Sequence, residues 1–230
     1  MGYLRGFVAM FLASFVSFAA ADVFEAWDFR AIDGDIQKNI EVFDSAKAIQ
    51  EKLGVKVDYW QHDVNGDNVV SYVLRFADLA EWAAFKDAAM NNSEWDEWIS
   101  TEWPKLRPHL VASYAMNNVL NPNAGKDITD GHNVGYWNAW EARENHTSAE
   151  LLASIQKSTA ISQKFGIETN TYTSGPEGIF YVFNTAENFV EFEKKFAERN
   201  SSKEWIEYWT QAQENRVGRF VRQSWITRIQ

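Results

Sequence analysis

Apolar side chains at Ile36, Ile40, Phe43, Ala46, Ile49 and Leu53 recur every three or four residues, the spacing of one helical face, and predict a helix from about residue 35 to 53. Ahead of it, residues 23 to 31 alternate as a strand does: Phe24, Ala26, Asp28 and Arg30 share one face, Glu25, Trp27 and Phe29 the other. Gly54 follows the helix, where a left-handed residue is cheapest for glycine. Residues 55 to 60 then turn through Asn65-Gly66-Asp67 into 69 to 76, a hairpin signature. Asp78-Leu79-Ala80-Glu81 reads as a capping box opening a second helix, with Trp82 and Phe85 inward. A short helix carrying Trp95, Trp98, Ile99 and Trp103 and a strand from 110 to 119 complete the series.

The same series is then written again. Ala26-Trp27-Asp28-Phe29-Arg30 matches Ala139-Trp140-Glu141-Ala142-Arg143, and residues 48 to 55 match 160 to 167. Phe76, Trp82, Phe85, Trp98 and Ile99 line up with Phe183, Phe189, Phe192, Trp205 and Ile206. The second copy opens with a strand from 134 to 143. Its helix starts at the capping box Thr147-Ser148-Ala149-Glu150 and carries Leu152, Ile155, Ile161 and Phe165 up to Gly166. A hairpin through Gly175-Pro176-Glu177-Gly178, a helix after Asn188, a Trp-rich helix and a strand from 217 to 226 follow. Such self-similarity marks a tandem duplication. The polar Gly/Pro/Asn-rich stretch after Asn121 sets the boundaries: first unit 22 to 121, linker 122 to 133, second unit 134 to 230.

A β-α-β-β-α-β order is the ferredoxin-like arrangement, an antiparallel sheet with both helices on one face. The other face needs a cover, which a second copy supplies. The fold class expected is therefore α+β, two tandem ferredoxin-like units packed sheet to sheet as an α+β barrel. On this element order the chain resembles the dimeric α+β barrel superfamily, with both halves in one polypeptide. The resemblance implies a pseudo-dimer within the chain and a choice of chemistries: cofactor-free monooxygenases, haem-degrading enzymes, haem-binding chlorite dismutase-like enzymes, and stress-related proteins without known activity. Fold alone does not select among them.

The first residues narrow the location. Arg5, an apolar run from Gly6 to Phe18 and Ala19-Ala20-Ala21 form the three parts of a secretory signal, with cleavage expected after Ala21 and a secreted or periplasmic destination. The apolar run is shorter than a spanning helix needs, so no stable membrane insertion is expected after cleavage. Cysteine is absent, which removes disulfides and thiolate chemistry. A formal charge of −10 argues against a nucleic-acid partner. Of the eleven Trp, eight Tyr and sixteen Phe most should be core, and the surplus of Trp is the one compositional hint of a ring-lined ligand site.

The candidate chemistry is sparse. Asp28 with Arg30, and Glu141 with Arg143, place an acid two residues before an arginine on one face, either as an anion-gripping patch or as an inherited salt bridge. His62, near a strand end with Trp60 on the same face, is the candidate base, since imidazole titrates near neutrality, although a histidine at a wet hairpin end is also common. The histidines His62, His109, His132 and His146 lack the spacing of a metal site, but a haem needs one axial ligand, for which His146 is the candidate. Asp63, Asn65 and Asp67 read as a polar turn rather than a calcium loop. Trp27, Trp60, Trp98, Trp140 and Trp205, with Arg30 and Arg143, are the candidate ligand-binding residues. Three functions stay open: binding of a small apolar or aromatic molecule, a cofactor-independent oxygenase or haem-handling enzyme, and a non-enzymatic assembly protein.

Overall fold

The computed structural model describes residues 22–64, 67–120, 131–173 and 178–229. The expected leader, most of the linker and the tips of both hairpins, including Asn65, Gly66 and Gly175, lie outside these residues. The first half consists of β1 (Val23–Arg30), α1 (Ile36–Lys52), β2 (Lys56–Val64), β3 (Asp67–Phe76), α2 (Leu79–Met90), α3 (Ser93–Thr101), α4 (Trp103–Leu106) and β4 (Leu110–Leu120). The second consists of β5 (Val134–Ala142), α5 (Ser148–Lys164), β6 (Glu168–Thr173), β7 (Ile179–Ala186), α6 (Phe189–Ser201), α7 (Lys203–Asn215) and β8 (Gly218–Ile229). No described helix is long and apolar enough to cross a membrane.

Local signals act as the sequence suggests. Thr147 and Glu150 form the full reciprocal capping box of α5, and the Asp78 side chain accepts from the amides of Ala80 and Glu81 at the start of α2. Gly54 and Gly166 take φ of 89° and 69°, the left-handed conformation that ends α1 and α5.

The eight strands close into one antiparallel barrel in the order β1-β3-β2-β8-β5-β7-β6-β4. Split at its two seams, this is β4-β1-β3-β2 and β8-β5-β7-β6, one order used twice. The seams are equivalent: β2 meets β8, with Tyr59 opposite Ile229, and β6 meets β4, with Thr173 opposite Asn117. Each sheet thus covers the other across the interior while also completing its edges, which removes the unpaired backbone an open sheet exposes. Phe24, Trp60, Val73, Met116, Trp137, Tyr172 and Ile226 fill the interior. At the β2–β8 seam, Asp58, with its side chain 1 % exposed, accepts from Arg75 Nε at 3.0 Å and pairs with Arg228 of β8.

Strand register fixes how the copies correspond. Val23 lies opposite Phe76 and Val134 opposite Ala186, while the register shifts between Asp28 and Phe29 in β1 and between Ala139 and Trp140 in β5. The ion pair Lys52–Glu94, at 2.7 Å, recurs as Lys164–Glu204, at 2.5 Å. Trp140 therefore stands where the first copy has Phe29, and Trp27 answers to Asn138, two residues away from the match read in the sequence. Trp205 likewise answers to Trp95, and Tyr208 to Trp98, because Asn92 and Ser202 each cap the amide of the Trp three residues on. Phe76 packs under the helices and Phe183 against the interior, so that match also fails. A slip of two residues keeps a strand residue on its face, which is why Trp27 and Trp140 read alike.

Candidate functional site

Between the barrel's outer face and the helices of each half lies a cavity, and with this register the two correspond residue for residue. The first measures about 200 Å³ and the second about 600 Å³. The difference follows from side-chain size. Trp27, Phe43, Tyr72, Trp98 and Trp103 of the first give way to Asn138, Ile155, Val182, Tyr208 and Gln213 in the second. In the first half Trp95 stacks on Trp98 with ring centres 4.8 Å apart, and Trp103 meets the edge of Phe29 at 6.1 Å, so indoles narrow the space. In the second half the helix layer packs as two separate small clusters, around Leu151 and around Phe192, with the cleft between them.

Charge distinguishes the second cleft as much as size does. Arg143, Arg199 and Arg216 line it, no Asp or Glu does, and by the same register they replace Ile32, Ala89 and Leu106. Arg199 is 7 % exposed, with its guanidinium carbon 4.1 Å from the Phe196 ring centre and 3.8 Å from that of Trp205. It donates from Nη1 to Ser162 Oγ at 3.1 Å and from Nε and Nη2 to Asn200 Oδ1, and no described carboxylate pairs with it. Burial pulls its pKa down to about 10, opposed by Tyr208, and it stays cationic at neutral pH. Arg143 and Arg216 are exposed; Arg143 Nε donates to the Gly218 carbonyl at 3.2 Å. An unpaired buried cation among aromatic rings is costly by itself and suits a bound anion.

The barrel interior holds a separate cavity of about 60 Å³. There Ser71 Oγ donates to Asp28 Oδ1 at 2.5 Å and lies 2.5 Å from His62 Nε2. The wet hairpin end expected for His62 is instead an enclosed position, its side chain only 10 % exposed. Burial pushes the His62 pKa down; Asp28 opposes this and Arg222 adds to it. Because the folded pKa lies below the unfolded value of about 6.5, the unfolded chain takes up the proton more readily. The stability that neutral His62 confers is complete above about pH 6.5 and is lost as pH falls from there toward the folded pKa. In His62→Gln, unfolding free energy measured in urea should fall less steeply over that window, by up to about 1.4 kcal/mol per pH unit. An unchanged slope would show that His62 does not titrate on unfolding.

The predicted site residues thus divide among three places. Trp60 and His62 line the barrel cavity, Trp27 and Trp98 the smaller first cleft, and Trp140, Arg143 and Trp205 the larger second cleft. Arg30 is exposed at the end of β1. Asp28 bonds Ser71 and Glu141 pairs with Arg219, so the recurring acid–arginine pairs do not form. His146 sits beside Glu150, Nδ1 to Oε2 3.6 Å, at the opening of α5 and does not line the second cleft. Sequence reasoning passed over Arg199, Arg216, Tyr208, Ser71 and Arg222. Among the described residues no three His, Asp or Glu side chains gather as a metal site.

No protein-family model matches the chain, and no curated protein matches it in sequence. Solved structures share its fold. A protein provisionally named a monooxygenase from Fusobacterium nucleatum superposes with a TM-score of 0.60 at 10% identity, over 92% of this chain and 94% of that one. A haem-binding protein from Thermus thermophilus gives 0.51 at 13% identity, over 92% of both chains. A protein described as anthrone oxidase-like gives 0.55 at 7% identity, also over 92% of both.

Proposed function

We propose that the second-lobe cleft binds a planar aromatic molecule carrying an acidic group, and that the protein oxidises it with molecular oxygen without a bound cofactor. One observation carries the reading: three arginines line this cleft where the first half has Ile32, Ala89 and Leu106, of which only Leu106 lines the sister cleft, and the space is about three times larger and free of acidic side chains. Rings of Trp140 and Trp205 provide flat apolar walls, and a cleft of about 600 Å³ falls in the range of small-molecule sites.

The chemistry follows from charge. A phenol or an enolisable ring ketone loses its proton more readily beside unpaired guanidinium groups, since nearby positive charge favours the anion. The resulting electron-rich anion is the form that reacts directly with oxygen. For an anthrone-type substrate, the ring CH₂ becomes C=O, one atom of O₂ enters the product and the other leaves as water with the two displaced hydrogens. Arg199 would hold and stabilise the anion, and the aromatic walls would keep bulk water from it. Structures named monooxygenase and anthrone oxidase-like share this fold, which supports the reading without assigning it.

Haem fits the site poorly. No histidine or methionine lines the cleft, and its phenols are engaged, Tyr136 with Gln223 and Tyr208 with Ser154 at 3.3 Å. His62 faces a cavity of about 60 Å³, far too small for a tetrapyrrole.

The test is oxygen uptake with 1,8-dihydroxyanthrone as probe. One O₂ consumed per quinone formed, at a rate well above spontaneous oxidation and lost in Arg199→Met, is expected. Binding without acceleration would leave a carrier and overturn the oxygenase reading; absence of binding would overturn the cleft itself. The export read from residues 1–21 is part of the proposal, and a mature amino terminus at Asp22, found by mass spectrometry, would support it.

A further inference from the structure

The cavity inside the barrel is independent of the cleft. Trp137, Tyr181 and Arg222 face it, while their neighbours Asn138, Val182 and Gln223 face the cleft across the same wall. Its volume of about 60 Å³ accepts about five waters, taking roughly 12 Å³ for each, so any occupant has only a handful of heavy atoms.

Its polar groups are specific. Trp60 is 3 % exposed, and its indole N–H has no hydrogen-bond partner among the described residues, an omission that is costly if nothing fills it. The single hydroxyl proton of Ser71 goes to Asp28, so Ser71 receives the proton on His62 Nε2, which leaves Nδ1 as an acceptor. Arg222 donates to the Tyr114 hydroxyl at 2.7 Å, and its guanidinium lies 5.3 Å from the Trp137 ring centre and 5.8 Å from that of Tyr181. Asp28, Arg75 and Arg222 are the charged groups of the lining; Arg75 is engaged by Asp58 at 3.0 Å, and Asp28 is the carboxylate beside the Ser71–His62 pair. The arrangement is particular to one half: Asp28, Ser71 and Trp60 answer to Ala139, Tyr181 and Tyr172 in the other.

We propose that the barrel interior is a second ligand site, for a small neutral molecule that combines a carbonyl oxygen with an N–H or O–H group, such as a primary amide or a hydroxyketone. The carbonyl takes the Trp60 N–H, and the ligand's own proton goes to His62 Nδ1. Phe24, Met116 and Ile226 enclose its apolar part.

Full-length protein labelled with ¹⁵N on its indoles, titrated with acetamide, tests this. The Trp60 resonance, assigned by its disappearance in Trp60→Phe, should move downfield saturably while that of Trp205 in the cleft stays still. Acetate at the same millimolar concentrations should bind about tenfold more weakly or worse, because it has no proton to give His62 Nδ1. His62→Gln should weaken acetamide binding by a similar factor, and His62→Asn, expected to do the same, serves if that variant does not fold. A Trp60 resonance that never moves, or that moves equally with acetate, would overturn the proposal and would show that water alone satisfies the indole.

Discussion

Arg199→Met is expected to weaken binding of 8-anilinonaphthalene-1-sulfonate by about 10- to 100-fold, while N-phenyl-1-naphthylamine, the same ring system without the charge, changes by a few-fold at most. The range is that of a charge-assisted hydrogen bond, about 1.5–3 kcal/mol, lost from a site where solvent screens little. Methionine fills much the same space between Phe196 and Trp205, so the packing of the rings survives. Arg143→Met and Arg216→Met should cost less, because exposed charges are screened. Thermal unfolding without ligand gives an independent readout. Removing a buried cation that lacks a carboxylate should leave the melting temperature unchanged or raise it, the usual trade between stability and function at a binding site. Fluorescence titration showing equal losses for both probes would mean that Arg199 is packing and not recognition.

Asp58→Ala should have the opposite profile, destabilising the fold strongly and leaving the cleft's preference between the two probes intact. Asp58 lies between Arg75 and Arg228, so truncation removes the buried carboxylate that both guanidinium groups share at the barrel seam. Breaking such a buried arrangement by removing one partner costs about 3–5 kcal/mol. In a chain of this size each kcal/mol corresponds to about 2–4 °C, giving a fall in melting temperature on the order of 10 °C. Asp58→Ala combined with Arg228→Leu should recover part of the loss, since one of the two guanidinium groups that shared the carboxylate is then removed as well. Calorimetry showing a drop of only a degree or two would mean that water, not Asp58, neutralises the seam.

Much of the architecture could be read from periodicity. The helical stripe through Phe43 and Ala46, the capping box at Thr147, the glycines after each long helix and the duplication are local signals, and each appears where local physics puts it. The barrel's mode of closure was less legible, because edge pairing between β2 and β8 depends on residues far apart in the chain. The alignment of the copies was legible only to within two residues in the first strand and three in the helices that follow the hairpin. A tryptophan attracts the eye, but strand alternation makes Trp140 equally acceptable opposite Trp27 or Phe29, and only the bulge position decides. The slip of three residues in the helices hid the site. With the corrected register, Arg199 falls opposite Ala89 and Arg216 opposite Leu106, substitutions of an apolar residue by a cation that would have marked the cleft from sequence alone. His62 was misjudged for a related reason: a strand end looks wet until the partner sheet that closes over it is known.

The two cavities occupy equivalent places in the two halves and differ in kind, one narrowed by indoles, the other wider and lined by arginines. In a dimer of identical subunits this divergence is closed off, since every change made to one hollow is copied into its twin. Joining the subunits in one polypeptide lifts that constraint: one half can serve as ballast, its narrowed hollow underwriting the stability that an arginine-lined void gives up in the other.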